Sequence, residues 1–208
     1  MEKARLFTIA YWPPVSQIMA MREASRILIE GKENFQKQSY RNRMNILSAN
    51  GILPLSIPIK KDAHNIPIQE VRIDYKTNWQ QNHWRAIEAA YNASPYFFYY
   101  KDVFSDLYAS PKYNYLFEYN MELLARIFKI VSIHTEIEVT TEYKKGLGDD
   151  CEDFRNVFHP KRPLPCRNKL KEYPQVFDQK FGFNNELSVI DLICNLGPEG
   201  SVYLVSNH

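Results

Sequence analysis

The 208-residue chain holds no apolar run near the roughly 20 residues that crossing a bilayer demands. Its three cysteines, Cys151, Cys166 and Cys194, are odd in number and scattered, which excludes a disulfide framework and fits a reducing compartment. Charge of one sign is not in excess either. Twenty-six Lys+Arg against 24 Asp+Glu leave +2, short of the basic surplus with which a general nucleic-acid binder neutralises phosphates. The opening Met1-Glu2-Lys3-Ala4-Arg5-Leu6-Phe7 has neither the apolar core nor the small-residue cleavage site of a signal peptide. These absences lead us to expect a cytoplasmic protein, with no membrane insertion and no nucleic-acid partner.

Common catalytic signatures are missing as well. There is no P-loop, no G-x-G-x-x-G, no H-E-x-x-H, no G-x-S-x-G and no C-x-x-C. Cys151, His159 and Cys166 have spacings that fit no zinc pattern. We therefore expect no metal and no cofactor.

What the chain does have is aromatic side chains: 14 Tyr, 12 Phe and 3 Trp in a sequence that is 45% hydrophobic. Such a surplus suits either a cleft that stacks rings and sugars or simply an aromatic-rich core. At this length one domain is expected, covering residues 1–208. Leu6–Tyr11 reads as a buried strand stopped by Trp12-Pro13-Pro14. Val15–Ala24 has helical spacing, with Ser16 able to cap, and Arg26–Glu30 reads as a second strand. Strand, helix and strand make a βαβ unit with a parallel pair.

A hairpin follows, turning at Asn50-Gly51. A two-residue turn there pairs Ile46 with Leu55 and Met44 with Ile57 on an apolar face. Asn45 with Ser56, Arg43 with Pro58 and Arg41 with Lys60 fall on a polar, basic one. From Trp79 the pattern becomes helical, with helices ending near Ser94-Pro95, over Lys101–Tyr108, over Tyr115–Ile130 and over Glu186–Asn195; Ile137–Thr141 reads as a strand. Residues 144–171 carry two glycines and three prolines, and read as a long loop or lid. The fold class expected is α/β, an N-terminal βαβ unit and β-hairpin with a mainly helical C-terminal half packed on the sheet.

Three features bear on chemistry. On a strand, Arg41 and Arg43 would point the same way, about 6.6 Å apart. They would either grip an anion with two guanidinium forks or lie on a solvated face. His83, between Trp79 and Ile87 on an apolar helix stripe, is either a satisfied core residue or a general base. Asp191 shares a narrow polar strip with Ser188 and Asn195 on an otherwise apolar helix. It would cap a neighbouring backbone, pair with an arginine or line a site.

Tyr11-Trp12-Pro13-Pro14, Gln38-Ser39-Tyr40-Arg41-Asn42-Arg43, Asn50-Gly51 with Leu55 and Pro58, Trp79 with His83, Tyr91, Ala93, Pro95-Tyr96-Phe97 and Asn120 occur in an order that resembles the WbqC-like proteins. The run Tyr173-Pro174-Gln175-Val176-Phe177, then Leu187–Leu192 and Asn195–Glu199, is similar to the form of that family found in Bacteroidetes. The likeness covers nearly the whole chain. It departs at the opening, where a His-Gln-Pro-like sequence is common and Ala10-Tyr11-Trp12-Pro13 stands here. The resemblance implies a part in making O-antigen or other surface glycans, by transfer of an acyl or aminoacyl group to a sugar. Our reading is a transferase that moves an acyl, aminoacyl or glycosyl group using a nucleotide-linked sugar or similar anionic molecule. The site expected has His83 and Asp191 as catalytic groups and Tyr11, Trp12, Tyr40, Arg41, Asn42, Arg43 and Asn50 as binding groups. The alternative is a non-catalytic binding or scaffold protein of a glycan-assembly complex.

Overall fold

The computed structural model describes residues 3–60, 65–143, 145–165 and 170–206. Strand β1 (Ala4–Phe7) runs beside β2 (Arg26–Ile29) in parallel, with Ala4 opposite Arg26 and Phe7 opposite Ile29. Helix α1 (Val15–Arg22) connects them, giving the expected βαβ unit. The tandem prolines set where α1 starts: Pro14 stands at its N-cap, and its fixed φ pre-shapes the entry. Ser16 makes no capping bond, and its hydroxyl is buried without a partner.

The hairpin is β3 (Arg43–Ser48) and β4 (Gly51–Ser56), a separate two-stranded sheet. Its register differs from the expectation by two residues. Ser48 pairs with Gly51, Ile46 with Leu53, Met44 with Leu55 and Arg43 with Ser56, so Ala49 and Asn50 form the turn. Gly51 accepts φ +102°, where a side chain would be strained. A slip of two keeps every residue on its face, and Met44, Ile46, Leu55 and Ile57 are buried as the pattern requires. The new register also accommodates Pro54. Its partner Asn45 turns both backbone groups outward, its N–H donating to Ser188 Oγ (3.1 Å) and its C=O accepting from Ser188 N–H (3.0 Å). That pair needs no ladder donor, so a proline fits.

After a 3₁₀ turn at Ile68–Glu70, the chain forms α2 (Trp79–Tyr91), α3 (Phe97–Ala109) and α4 (Leu116–Ile130). Strand β5 (Ile137–Val139) pairs in parallel with β2. Within the stretch read as a loop, β6 (Cys151–Asp153) pairs in parallel with β1, so the sheet order is β5-β2-β1-β6. A short α5 (Asp178–Phe181), α6 (Val189–Leu196) and α7 (Glu199–Ser206) complete the chain. Gly197 ends α6 as expected, and α7 restarts two residues later. Helix α1 packs against α6 and α7, and its residues Val15–Met19 are all buried. Among the described residues no helix is long and apolar enough to cross a membrane.

Candidate functional site

In a parallel sheet every strand ends at the same edge. There the residues following each strand meet: Thr8 after β1, Glu30 after β2, Thr140 after β5 and Arg155 after β6. From β1 the chain moves toward β2 and β5, and it returns to β1's other side only at β6. The carboxyl ends of β1 and β6 thus lie where the strand order reverses, the place open α/β sheets use for ligands.

Buried charges gather at this edge. Arg41 holds Glu33 bidentately, Nε to Oε1 at 3.0 Å and Nη2 to Oε2 at 2.5 Å, and Nη2 also donates to Thr8 Oγ1 (3.2 Å). The Thr8 hydroxyl donates to the Arg155 carbonyl at 2.7 Å. Arg155 in turn spans Glu30 (3.2 Å) and Asp153 (2.5 Å), while Thr140 donates to Glu30 at 2.6 Å. Glu30, Glu33, Arg41 and Arg155 are all buried. Desolvation pushes the Glu33 carboxyl above the usual carboxylate range, against the opposing pull of Arg41. The adjoining Asp153 goes the other way, held low by its hydrogen bonds from Arg155. A cavity of about 10 Å³ lies among Thr8, Gln17, Tyr40, Arg41, Arg155 and Phe158, room for about one water molecule. Its cover is the segment after β6, whose Phe154 and Phe158 pack on Phe7 at 5.2 and 6.4 Å.

Of the expected site residues, Arg41 and Tyr40 belong to this edge. Tyr40 lines the cavity, and burial raises its hydroxyl pKa. Arg41 and Arg43 do not act together: Arg41 turns inward to Glu33, whereas Arg43 lies on the hairpin and donates to Ser56 Oγ at 3.3 Å. The cause is that Arg41 precedes β3, so strand parity does not govern it. Asn42 fixes the hairpin's base, Nδ2 donating to the Ile57 carbonyl at 2.8 Å, and Asn50 sits exposed in the turn.

Tyr11, Trp12 and His83 form a different cluster, inside the core. The Trp12 indole N–H donates to the Tyr108 hydroxyl (2.8 Å), which lies 2.7 Å from the Tyr11 hydroxyl, itself 2.9 Å from His83 Nδ1. The Tyr108 oxygen accepts the indole N–H, and each tyrosine keeps a hydroxyl proton for the rest of the chain, which closes on His83 Nδ1. Burial lowers the His83 pKa to about 4, with a contact to the Ser56 backbone opposing weakly. The ring is neutral at pH 7, and its Nδ1 is already engaged by the Tyr11 hydroxyl. Trp12 has φ 46°, a left-handed conformation uncommon for a bulky residue. Its ring is 4.6 Å from Phe104 and fully buried, and this packing holds it there.

Asp191 is a third, separate cluster. One of its oxygens accepts from Tyr173 Oη (2.7 Å) and Gln175 Nε2 (2.8 Å). Burial raises its pKa to about 6 against these donors. Among the described residues Asp191 and His83 have no hydrogen-bond partner in common, and no arginine bonds the Asp191 carboxylate.

Glu30, Glu33, Thr8 and Arg155 went unread in the sequence. The available signal was position: two acids directly behind a buried β-strand in a βαβ unit. Among the described residues no three His, Cys, Asp or Glu side chains are arranged to hold a metal ion; Cys166 lies outside them.

These features define a small α/β protein with a parallel sheet, an antiparallel hairpin and a charged carboxyl edge. The chain belongs to the WbqC-like protein family, whose model matches residues 10–156. It is similar to the uncharacterized protein Rv1507c of Mycobacterium tuberculosis (strain ATCC 25618 / H37Rv), 24% identical over 227 aligned positions that cover 98% of each chain. No solved structure matches it.

Proposed function

We propose that the protein is a transferase of surface-polysaccharide (O-antigen-like) biosynthesis, moving an acyl, aminoacyl or glycosyl group with a nucleotide-linked sugar as substrate. One observation carries the reading: Glu33, Arg41 and Arg155 converge, buried, at the carboxyl edge where β1 and β6 part. An acceptor amine or hydroxyl attacks the activated carbon and gives its proton to Glu33, whose raised pKa suits proton capture. The bond to the leaving group breaks, and the electron pair departs with that group toward the arginines. With room for about one water, the site admits substrate only when the Phe158 segment moves aside.

The test is a thermal-shift screen of nucleotide-linked sugars, since a ligand of the native state must raise apparent stability. A stabilising sugar should be consumed by the protein, and Glu33→Gln should slow turnover by about 100-fold or more. A panel that neither stabilises the protein nor is consumed by it would favour the scaffold reading. That reading has its own support in α3, where Phe98 and Tyr99 are 62% and 82% exposed and Val103 39%.

A further inference from the structure

Away from the carboxyl edge, the chain has an open cleft of about 560 Å³. It lies where the residues after β4, the stretch before α2 and the start of α4 meet. Its walls carry Lys60, Arg72 and Lys76, with Tyr75, Tyr115 and Asn114. We propose that this cleft binds a nucleoside diphosphate, the cations taking the two phosphates and a tyrosine ring the base.

The charge is concentrated and unspent. Among the described residues three cations face one carboxylate, Asp74, and Asp74 Oδ1 accepts the Lys76 backbone N–H at 3.0 Å. The surplus of two positive charges in the cleft equals the net charge of the entire chain. Elsewhere Arg5, Arg41, Arg126 and Arg155 each hold a carboxylate, whereas none of Lys60, Arg72 and Lys76 forms an ion pair among the described residues. A set of clustered cations that form no ion pair among the described residues is what an incoming anion requires.

The cleft is also rigid. Backbone bonds tie its three segments together: Lys60 N–H to Arg72 O (3.0 Å), Asp74 N–H to Pro58 O (2.9 Å) and Ile73 N–H to Asn114 O (3.0 Å). Ile73, between two of the lining side chains, is anchored in the core. Tyr75 donates its hydroxyl to the Tyr113 carbonyl at 2.6 Å, a bond that orients its ring. The Arg72 guanidinium lies 5.8 Å from the centre of the Tyr115 ring, a cation–π contact that orients the fork without using its N–H groups. Fixed guanidinium and ammonium groups beside aromatic faces match a diphosphate joined to a flat base. The volume lies within the usual range for small-molecule sites. A polymer would need a stripe of cations along the surface, and here they share one concavity.

The cleft stands on its own geometry; only the choice of a nucleotide as ligand rests on the transferase reading. The experiment is calorimetric titration of the whole chain with uridine diphosphate and guanosine diphosphate, against pyrophosphate and the bare nucleosides at equal ionic strength. We expect saturable binding of at least one diphosphate, about tenfold or more tighter than either fragment. We expect that affinity to fall about 100-fold in Lys60→Glu/Arg72→Glu, on the scale of a tenfold loss per charge-assisted contact. Both altered side chains are exposed, so the variant's far-UV dichroism and melting should match the parent's. The proposal is overturned if no diphosphate binds at millimolar concentration, if pyrophosphate binds as tightly, if the double variant binds undiminished, or if a uridylate oligomer binds more tightly than the diphosphate. Undiminished binding by the double variant, with transfer still lost in Glu33→Gln, would remove the cleft and leave the transferase. Binding lost in the double variant, with no sugar transferred by the parent, would do the reverse.

Discussion

The Tyr11 hydroxyl stands 2.9 Å from Nδ1 of His83, 72 residues further along, and both side chains are buried. Burial keeps the imidazole neutral and makes its protonation part of the stability of the fold. The folded pKa of His83 is about 4 against an ordinary 6.5, so its contribution is complete above pH 6.5 and is lost as pH falls through 4. Asp191 has the opposite sign. Its folded pKa of about 6 exceeds the ordinary 3.8, so its contribution is complete below 3.8 and is lost as pH rises through 6. Each shift corresponds to about 3 kcal/mol. Over the same window the two nearly cancel. Relative to the parent, His83→Gln should gain stability on acidification from about pH 6.5 to 4, and Asp191→Asn should lose it. Urea midpoints of the three proteins across that range test this, and parallel profiles would contradict it.

The Glu33–Arg41 pair is expected to behave as a unit. Arg41→Met alone leaves a buried carboxylate uncompensated and should cost about 3–5 kcal/mol. Glu33→Leu/Arg41→Met removes both charges and should cost less than either single change. A double-mutant cycle by chemical denaturation reads the coupling; simple additivity would show that the pair is not one unit.

Tyr108 accepts the Trp12 indole N–H and neighbours the Tyr11 hydroxyl. In Tyr108→Phe the Trp12 indole N–H loses its acceptor and Tyr11 loses its neighbour, at a cost of about 2 kcal/mol or more. Guanidinium unfolding should show a lower midpoint with an unchanged slope, because the surface exposed on unfolding is the same.

Gly197 and Gly51 make an internal comparison. Both have positive φ, at 53° and 102°. A Cβ on Gly197 would lie 2.5 Å from the Tyr96 ring, whereas one on Gly51 would meet nothing within 4 Å. Gly51→Ala should therefore carry only the backbone penalty of about 1–2 kcal/mol, and Gly197→Ala clearly more. Equal losses in melting temperature would show that the Tyr96 contact carries no weight.

Long periodic elements were legible in the sequence. The stripe Leu116, Tyr119, Leu123, Ile127 specified α4, and the proline pair specified the start of α1. Strand β6 was not legible. Three residues, Cys-Glu-Asp, show no period, and their strand state comes from β1, whose free side they fill. The hairpin faces were readable because they depend on parity, and the register was not, because it depends on where the closing pair falls. At the site, Arg41 was read for its charge, but its partner Glu33 lies in a loop whose path only the tertiary fold determines. His83 stands out in the sequence by its position on an apolar stripe, and the structure shows it buried in that stripe with Nδ1 2.9 Å from the Tyr11 hydroxyl.

The placement of β1 between β2 and β6 also governs how the molecule is made. Arg5 and Glu152, neighbours across that sheet, are 147 residues apart. On a ribosome adding about 5–20 residues per second, β1 waits roughly 7–30 seconds before its second neighbour emerges. For that interval one edge of the sheet is an open template for other chains. Arg5 on β1 places a charge there from the beginning, so the nascent sheet is guarded by the same side chain that later bonds Glu152 and closes it.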